Sequence, residues 1–551
     1  MKRGQAAALL CAVLLLLVTA YPAAWLAFRA LRDPFGAWTL ENLRAVLSAP
    51  HLREGAANTL LLALAGAAFA AVSGGGLAAL AARTDAPGQA LIRPLALAPY
   101  LVPPIVASLA WIVLADGQGG LLNVLLARAG TSLRVEIFSF WGVAFVGGLV
   151  CSPVAFLILH EAFAGLDGEL EEVARVCGAS EPLVWRRVIL PAVWPALAAA
   201  GLLCALLCNA QFGVQAPIGM PANVWTLSTL IYSTSLVGPV DLGLAAAMAL
   251  LLAAAGALLL VLQRVVARRA APRRANARPA RRLALGRWRW PVAGLLALYA
   301  AVALILPYGA LLLRSLRPFN LHAGMSAHQL ISGWDAGVWA QLWRDEVVRR
   351  AFRHSFILAT ATAVLSCLLG AAGGWMLYRE RVRGRALLEG LFFATPALSG
   401  VVVGLAVLLA FGGAPFWLYG TYLILLVAYV AREAATGLKA AEAALRSTPT
   451  ELDEAARVCG AEAFQSARRI WWPMLRPALA AGAALSFIAA FREVGASSML
   501  YSHGREVLGS LLMVVWQDGR YQALAALALA GGLSAMAGSA LVYRVVRGPR
   551  A

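Results

Sequence analysis

The chain has 551 residues, of which 61% are hydrophobic and only 13% charged, and its 46 Lys and Arg against 27 Asp and Glu leave a net charge of +19. A soluble globular chain carries about a quarter charged residues, so a mean hydropathy of +0.76 excludes that class. The apolar runs are about 20 residues long, rich in Ala, Leu, Gly and Val and without strict alternation, which predicts an all-α polytopic membrane protein and not a β-barrel.

About six crossings are expected in each half, roughly twelve in all. In the first half they fall near 7–28, 57–82, 95–115, 138–159, 190–214 and 242–262. The opening stretch has the basic start and apolar core of a secretory signal, but its apolar run continues past Tyr21 to Phe28, so it is expected to remain as the first crossing. In the second half the crossings fall near 291–313, 356–378, 388–411, 416–430, 474–496 and 523–542. The chain therefore divides into a first half, 1–263, a linker, 264–290, and a second half, 291–551.

The linker is packed with Arg, free of acids and broken by Pro272 and Pro279. Arginines this close to crossing ends are expected on the cytoplasmic side, lying on anionic membrane lipid. Nucleic acid is not expected as a partner, because no folded module for it is present. An even number of crossings on each side of a cytoplasmic linker puts both termini inside, in agreement with Lys2 and Arg3 at one end and Arg544, Arg547 and Arg550 at the other. The seven cysteines form no Cys-x-x-Cys pair, and Cys204 with Cys208 reads as helix packing, not as a metal pair.

One polar sentence occurs twice. ELEEVARVCGA begins at Glu169 and ELDEAARVCGA at Glu451, between the fourth and fifth crossings of each half. The repeats span 169–195 and 451–477 without a gap. They pair Glu172 with Glu454, Ala174 with Ala456, Gly178 with Gly460, Ala179 with Ala461, and Pro191 with Pro473. Each copy reads as a short amphipathic helix with acids in its first turn, a glycine turn, and a proline-marked entry into the next crossing.

Glu, two small residues, three variable ones, Gly, and a Pro thirteen positions later resemble the EAA loop of permease subunits of ATP-binding-cassette importers, here with two type I permease halves fused. Val173, Ala467 and Trp472 depart from the usual pattern. The resemblance implies that each loop forms a coupling helix seated on a separate ATPase dimer, with docking carried by Glu172, Ala174, Gly178 and Ala179 and by Glu454, Ala456, Gly460 and Ala461. It also implies a periplasmic or lipid-anchored substrate-binding protein, and a bacterial inner-membrane location. ATP and Mg would belong to the partner: the only lysines are Lys2 and Lys439, neither in a phosphate-binding loop, so this chain is expected to be a transport subunit and not an enzyme, with no cofactor or metal of its own.

An ion-coupled secondary transporter would also repeat its crossings, but it needs titratable groups near the membrane midplane, and few exist. A membrane-bound biosynthetic enzyme lacks a catalytic constellation. Asn209 and Gln211 in the first half, and Arg492 and Glu493 in the second, are the polar residues expected on the translocation path or its gate, or else as interhelical contacts. Ala210 and Gln211 stand where the second half has Arg492 and Glu493. The phrases FGVQAPIGMPANVWTLSTLIYS and REVGASSMLYSHGREVLGSLLMVVW resemble fused permeases of the ferric-iron importer type. Thiamine, 2-aminoethylphosphonate and polyamines are the alternative cargoes that related permeases imply.

Overall fold

The computed structural model describes residues 11–33, 35–269, 282–317, 334–380, 385–394, 398–447, 451–461 and 463–547. Among these the chain is helical, with two isolated β-bridges. Five helices of the first half are long and apolar enough to cross a bilayer: α1 (Cys11–Ala30), α2 (Pro50–Arg83), α5 (Phe140–Ala164), α7 (Glu181–Asn209) and α9 (Leu242–Ala267). Between α2 and α5 lie α3 (Gln89–Leu101) and α4 (Pro104–Ala115), bent by 98°. The sequence runs them together as one crossing at 95–115, but Pro103 and Pro104 have no N–H to continue the ladder. Between α5 and α7 lies α6 (Gly168–Val176), and α8 (Leu227–Leu236) precedes α9.

The second half repeats this order. Its long apolar helices are α10 (Gly286–Ser315), α11 (Glu346–Arg379), α15 (Arg468–Phe491) and α17 (Tyr521–Val545). The described residues thus hold nine such helices, or ten with the bent pair as one span. The remaining expected crossings take other shapes. The run at 388–411 is divided between a helix at Arg385–Ala394 and α12 (Gly400–Phe411), whose 12 residues reach only about 18 Å. The run at 416–430 is the start of α13 (Tyr422–Ser447), which continues through Arg432, Glu433 and Lys439 and so carries too much charge to pass as an apolar span. Then come α14 (Glu451–Val458) and, after α15, α16 (Leu508–Gln517).

Local chemistry sets the helix starts. Ser139 accepts from the Gly142 N–H at 3.1 Å to begin α5, Asp241 accepts from Gly243 and Leu244 at 3.0 and 2.9 Å to begin α9, and Asp345 accepts from Val347 at 2.8 Å to begin α11. Near the entries of α7 and α15, in the same register of the repeat, lie five-residue π-turns at Trp185–Ile189 and Ala467–Trp471. Pro191 and Pro473 follow two residues on and cannot donate to the carbonyl four residues back, which favours the wider turn.

Glycines bring the principal helix pairs together, as is usual where lipid removes the hydrophobic drive between helices. A Cβ at Gly74 of α2 would strike the Ser152 carbonyl of α5, and one at Gly370 of α11 would strike Gly437 of α13. The first helix of each half crosses over: α1 packs on α12 of the second half, and α10 packs on α4 of the first. The main buried core is accordingly continuous through both halves. Of the linker, residues 270–281 lie outside the described residues. Beyond them Leu283 pairs with the chain just after α2, donating to the Arg83 carbonyl at 2.8 Å and accepting from the Asp85 N–H at 3.1 Å.

The close approach of α11 and α13 makes Gly437→Leu costly, by about 1–3 kcal/mol through overpacking. Gly201→Leu, where nothing lies within 4 Å of the added Cβ, is expected to change stability by less than about 0.5 kcal/mol. Thermal unfolding of the detergent-solubilised protein compares the two, and equal effects would remove the glycine contact as the reason for this packing.

Candidate functional site

Two short helices project the repeated sequence. Asp167 caps α6 by accepting from the Glu169 N–H at 3.2 Å, and acids fill the first turn where the helix dipole favours them. Both copies end alike. Gly178 and Gly460 have φ of +83° and +77°, and the Ala179 and Ala461 N–H groups donate back to the Ala174 and Ala456 carbonyls at 3.0 and 2.9 Å. This is the left-handed closure that glycine adopts without strain.

The helical phase separates two faces. Ala174 and Ala179 turn inward onto the core around Val184 and Ile189, and Ala456 is buried. Glu172 is exposed, whereas the side chain of Glu454 lies outside the described residues. The outward face also carries Leu170, Val173 and Val176, with Val176 89% exposed and its counterpart Val458 88% exposed. Val176 and Val458 are therefore exposed apolar knobs at matching positions of the two helices.

The acid that holds α6 to the body is Glu171, not Glu172. Glu171 is 2% exposed and pairs with the buried guanidinium of Arg83, the last residue of α2. Its other oxygen accepts from Arg175 at 3.4 Å, and Arg175 reaches Glu181 at 2.7 Å. The Glu181 hydrogen bond, more than any other contact, raises the Arg175 pKa above its ordinary value. In the second half Arg379 occupies the same end of the matching 34-residue helix. It donates to the Leu445 carbonyl at 3.0 Å and lies 4.3 Å from the Trp471 ring centroid. The available sequence signal was an arginine closing each of two equally long apolar helices.

Between the halves lies a cavity of about 430 Å³. The fifth crossing of each half stops beside it, earlier than the apolar run predicts: α7 at Asn209 and α15 at Phe491. Short helices resume at Phe212 and Gly495. Gln211, Arg492 and Glu493 line the cavity, while Asn209 is buried away from it with its Nδ2 lacking a hydrogen-bond partner. Gln211 Nε2 meets the Cys151 sulfur at 2.9 Å.

Among the described lining residues the second half supplies all the charge. Arg432 Nη1 lies 3.3 Å from Glu493 Oε2, and Glu493 Oε1 accepts from the Ala496 N–H at 2.9 Å. Arg492 reaches across to the first half, donating to the Tyr100 carbonyl with its guanidinium carbon 4.7 Å from the Tyr100 ring centroid. Glu433 accepts from the Thr436 hydroxyl at 3.1 Å, and Lys439 completes the charged lining. Gly400, at the start of α12, leaves room for this arrangement: a Cβ there would strike Glu493 and lie 2.6 Å from Arg432 Nη1.

The model of the binding-protein-dependent transport system inner membrane component family matches residues 71–272 and again 348–548. The chain belongs to this family. Each match takes in one projecting helix and one side of the cavity. This transport component is 24% identical over 437 residues to the ferric transport system permease protein of Actinobacillus pleuropneumoniae, covering 77% of this chain and 61% of the relative. A Haemophilus influenzae protein named for the same transport system is 24% identical over 410 residues, 72% of this chain and 62% of that one. The sulfate transport system permease protein of Salmonella typhimurium is 30% identical over 208 residues, 34% of this chain and 74% of the relative. The chain thus spans less than two thirds of the length of the two ferric permeases.

Two side-chain arrangements in this transport component are open to direct test. Removing one partner of a buried ion pair leaves the other charge unpaired, so Glu171→Ala is expected to cost about 3 kcal/mol, and Glu171→Ala with Arg83→Ala less than the sum of the single changes. A thermal double-mutant cycle on the purified protein measures this, and additivity would separate the two side chains. Gly400→Val is expected to displace the Arg432–Glu493 pair and lower transport at least tenfold with normal membrane abundance. Transport at the parental rate would show that the pair is not needed.

Proposed function

We propose that this chain is the membrane-spanning permease of a binding-protein-dependent ATP-binding-cassette importer, with ferric iron as cargo. The observation that carries the reading is the duplication of a projecting helix with an exposed apolar knob, once in each of the two halves that line the inter-half cavity. Two equivalent handles match a dimeric motor. The α6 and α14 ends lie on the cytoplasmic side, where an ATPase dimer that holds ATP and Mg seats on them. Val176, Val458 and the Gly178 and Gly460 turns form the contact, and Ala174, Ala179, Ala456 and Ala461 hold the turns in shape.

Closure of the ATPases on ATP pulls the two handles together. Through Glu171 and Arg83 the pull reaches the end of α2, and through α7 and α15 it reaches the cavity walls. The cavity then opens outward to receive cargo from a periplasmic or lipid-anchored binding protein, and hydrolysis resets it inward. The Arg492 contact with Tyr100 joins the halves beside the cavity and serves as part of the gate. Gln211 and Glu493 belong to the path, and Asn209 supports the break in α7. Iron as cargo rests on the two ferric permeases, which match this chain across most of its length. Identity of 30% to the sulfate permease favours an oxyanion as the second reading.

The test is uptake of radiolabelled ferric iron by iron-limited cells in which the chain has been deleted and then restored as the parent, Gly178→Asp/Gly460→Asp, or Gly178→Asn/Gly460→Asn. Asn tolerates the left-handed backbone and adds no charge. The Asp pair is expected to abolish uptake, and the Asn pair to retain most of it. Parental uptake by the Asp pair would remove the coupling role, and no dependence on the chain at all would remove iron.

A further inference from the structure

A second cavity, of about 540 Å³, lies apart from the inter-half site, in a groove between the last turns of α2 and the first turns of α10. It reflects a difference in how the first helices of the two halves are seated. The start of α1 is packed into the second half, where Cys11 and Leu15 are buried beside Phe392 and Leu438. The start of α10, Arg289–Ala300, has no buried residue. On the facing wall α2 carries Gly76, where an added Cβ would meet nothing within 4 Å.

The walls are hydrocarbon. Val72 and Leu80 of α2, Leu295, Leu298 and Val302 of α10, and the Trp185 ring line them. Three hydroxyls also border the groove, and each is engaged by the protein. Ser73 donates to the Phe69 carbonyl at 2.7 Å, Thr84 donates to the Leu80 carbonyl at 2.7 Å, and Tyr299 shares a hydrogen bond with Ser152 at 3.1 Å. A polar ligand would give up water here for little in return, whereas an alkyl chain gives up nothing. From Val72 to Thr84 the wall is about 18 Å long, close to one leaflet of a hydrocarbon core about 30 Å thick.

Positive charge collects at the Thr84 end of this apolar slot. Trp185 is followed by Arg186 and Arg187, while Arg282, Arg287 and Arg289 lead into α10, and all five are exposed. Leu283 bridges to Thr84, itself in the lining, which fixes the end of the linker at this rim. Asp85, at the same rim, accepts from the Leu285 N–H at 2.8 Å. Among the described residues none of Arg186, Arg187, Arg282 and Arg289 is held in an ion pair. A leaflet-deep alkyl slot with guanidinium groups at one end is complementary to a phospholipid whose headgroup carries net negative charge, since guanidinium is the side chain that best matches phosphate oxygens.

We propose that this groove binds an anionic phospholipid from the leaflet on the α6 side, with one acyl chain between α2 and α10 and the phosphate among Arg186, Arg187, Arg287 and Arg289. The lipid supplies the packing that the start of α10 lacks, and it does so next to Arg83, where α6 is held. The site is independent of the cargo and of the path that the cargo takes.

The test uses the full chain in phosphatidylcholine nanodiscs that contain a trace of photoreactive lipid, with a diazirine on one acyl chain and either a phosphatidylglycerol or a phosphatidylcholine headgroup. Labelled peptides are located by mass spectrometry. Label from phosphatidylglycerol is expected to concentrate on residues 72–84 and 295–302, and to exceed that from phosphatidylcholine about fivefold there, the order for one arginine near an anionic lipid surface. Arg287→Gln with Arg289→Gln is expected to bring the two probes level at these peptides. Gly76→Leu, which fills the groove from the wall that has room for it, is expected to remove label from 295–302 for both probes. Equal labelling of the parent by the two probes would make the occupant a neutral chain and overturn the anionic site. Label spread as heavily over other exposed apolar residues, such as Leu258 and Val261 of α9, or retained in Gly76→Leu, would overturn the groove itself. Should Gly76→Leu fail to fold, the contrast between the two probes in the parent and in the arginine variant still decides the case.

Discussion

A helix that ends inside a packed interior exposes peptide groups that have no water to turn to, and the centre of this molecule is organised by that constraint. Both fifth crossings end beside the inter-half cavity, and each break is mended by side chains. In the first half Gln215 Nε2 donates to the Cys208 carbonyl at 3.0 Å, and the Ser108 hydroxyl donates to the Gly213 carbonyl at 3.0 Å. In the second, Glu493 accepts from the Ala496 N–H, and the Ser497 hydroxyl donates to the Glu493 carbonyl at 2.6 Å. Polar atoms are concentrated where the backbone demands them, and the inter-half cavity opens beside them. The asymmetry follows from how each half answers the same demand. One uses neutral amide and hydroxyl groups, while the other uses a carboxylate, which in turn draws in Arg432.

The projecting helices are coupled to this centre by different physics. Their outward faces carry the exposed apolar knobs, while the anchoring of α6 relies on an ion pair removed from solvent. Such a pair transmits position well because letting go strands a charge. The end of α2 is further fixed by Leu283, so handle, long helix and linker end meet at Arg83.

The repeated sentence was legible because its parts act locally. A cap, an acidic first turn and a glycine closing in the left-handed region can all be read within a dozen residues, and Gly178 and Gly460 stand where that reading puts them. That Glu171 anchors α6 was not legible, since it depends on a partner 88 positions away. The breaks at Asn209 and Phe491 were hidden for a related reason. Apolar residues resume beyond Gln211 and Glu493 and carry the hydropathy across both breaks, and just past the first break Gly213 lies so close to Ile105 that a Cβ would come within 3.2 Å of the Ile105 nitrogen. Hydropathy also passes over α8 and α16, because ten residues are too few for a crossing. The charged second wall was partly visible in Arg492 and Glu493. Arg432, Glu433 and Lys439 lay beyond the run read as a crossing, and α13 carries them to the cavity.

The exchange of first helices has an evolutionary reach. Because α1 lies on the second half and α10 on the first, each half is completed by the other, and a covalent joint makes that encounter intramolecular at high effective concentration. Neither copy ever has to recognise itself. Freed from self-complementarity, the duplicated genes' products could drift apart in chemistry while staying matched in shape, so one copy can specialise in charge and its twin in neutrality without a mixed population of mismatched pairs.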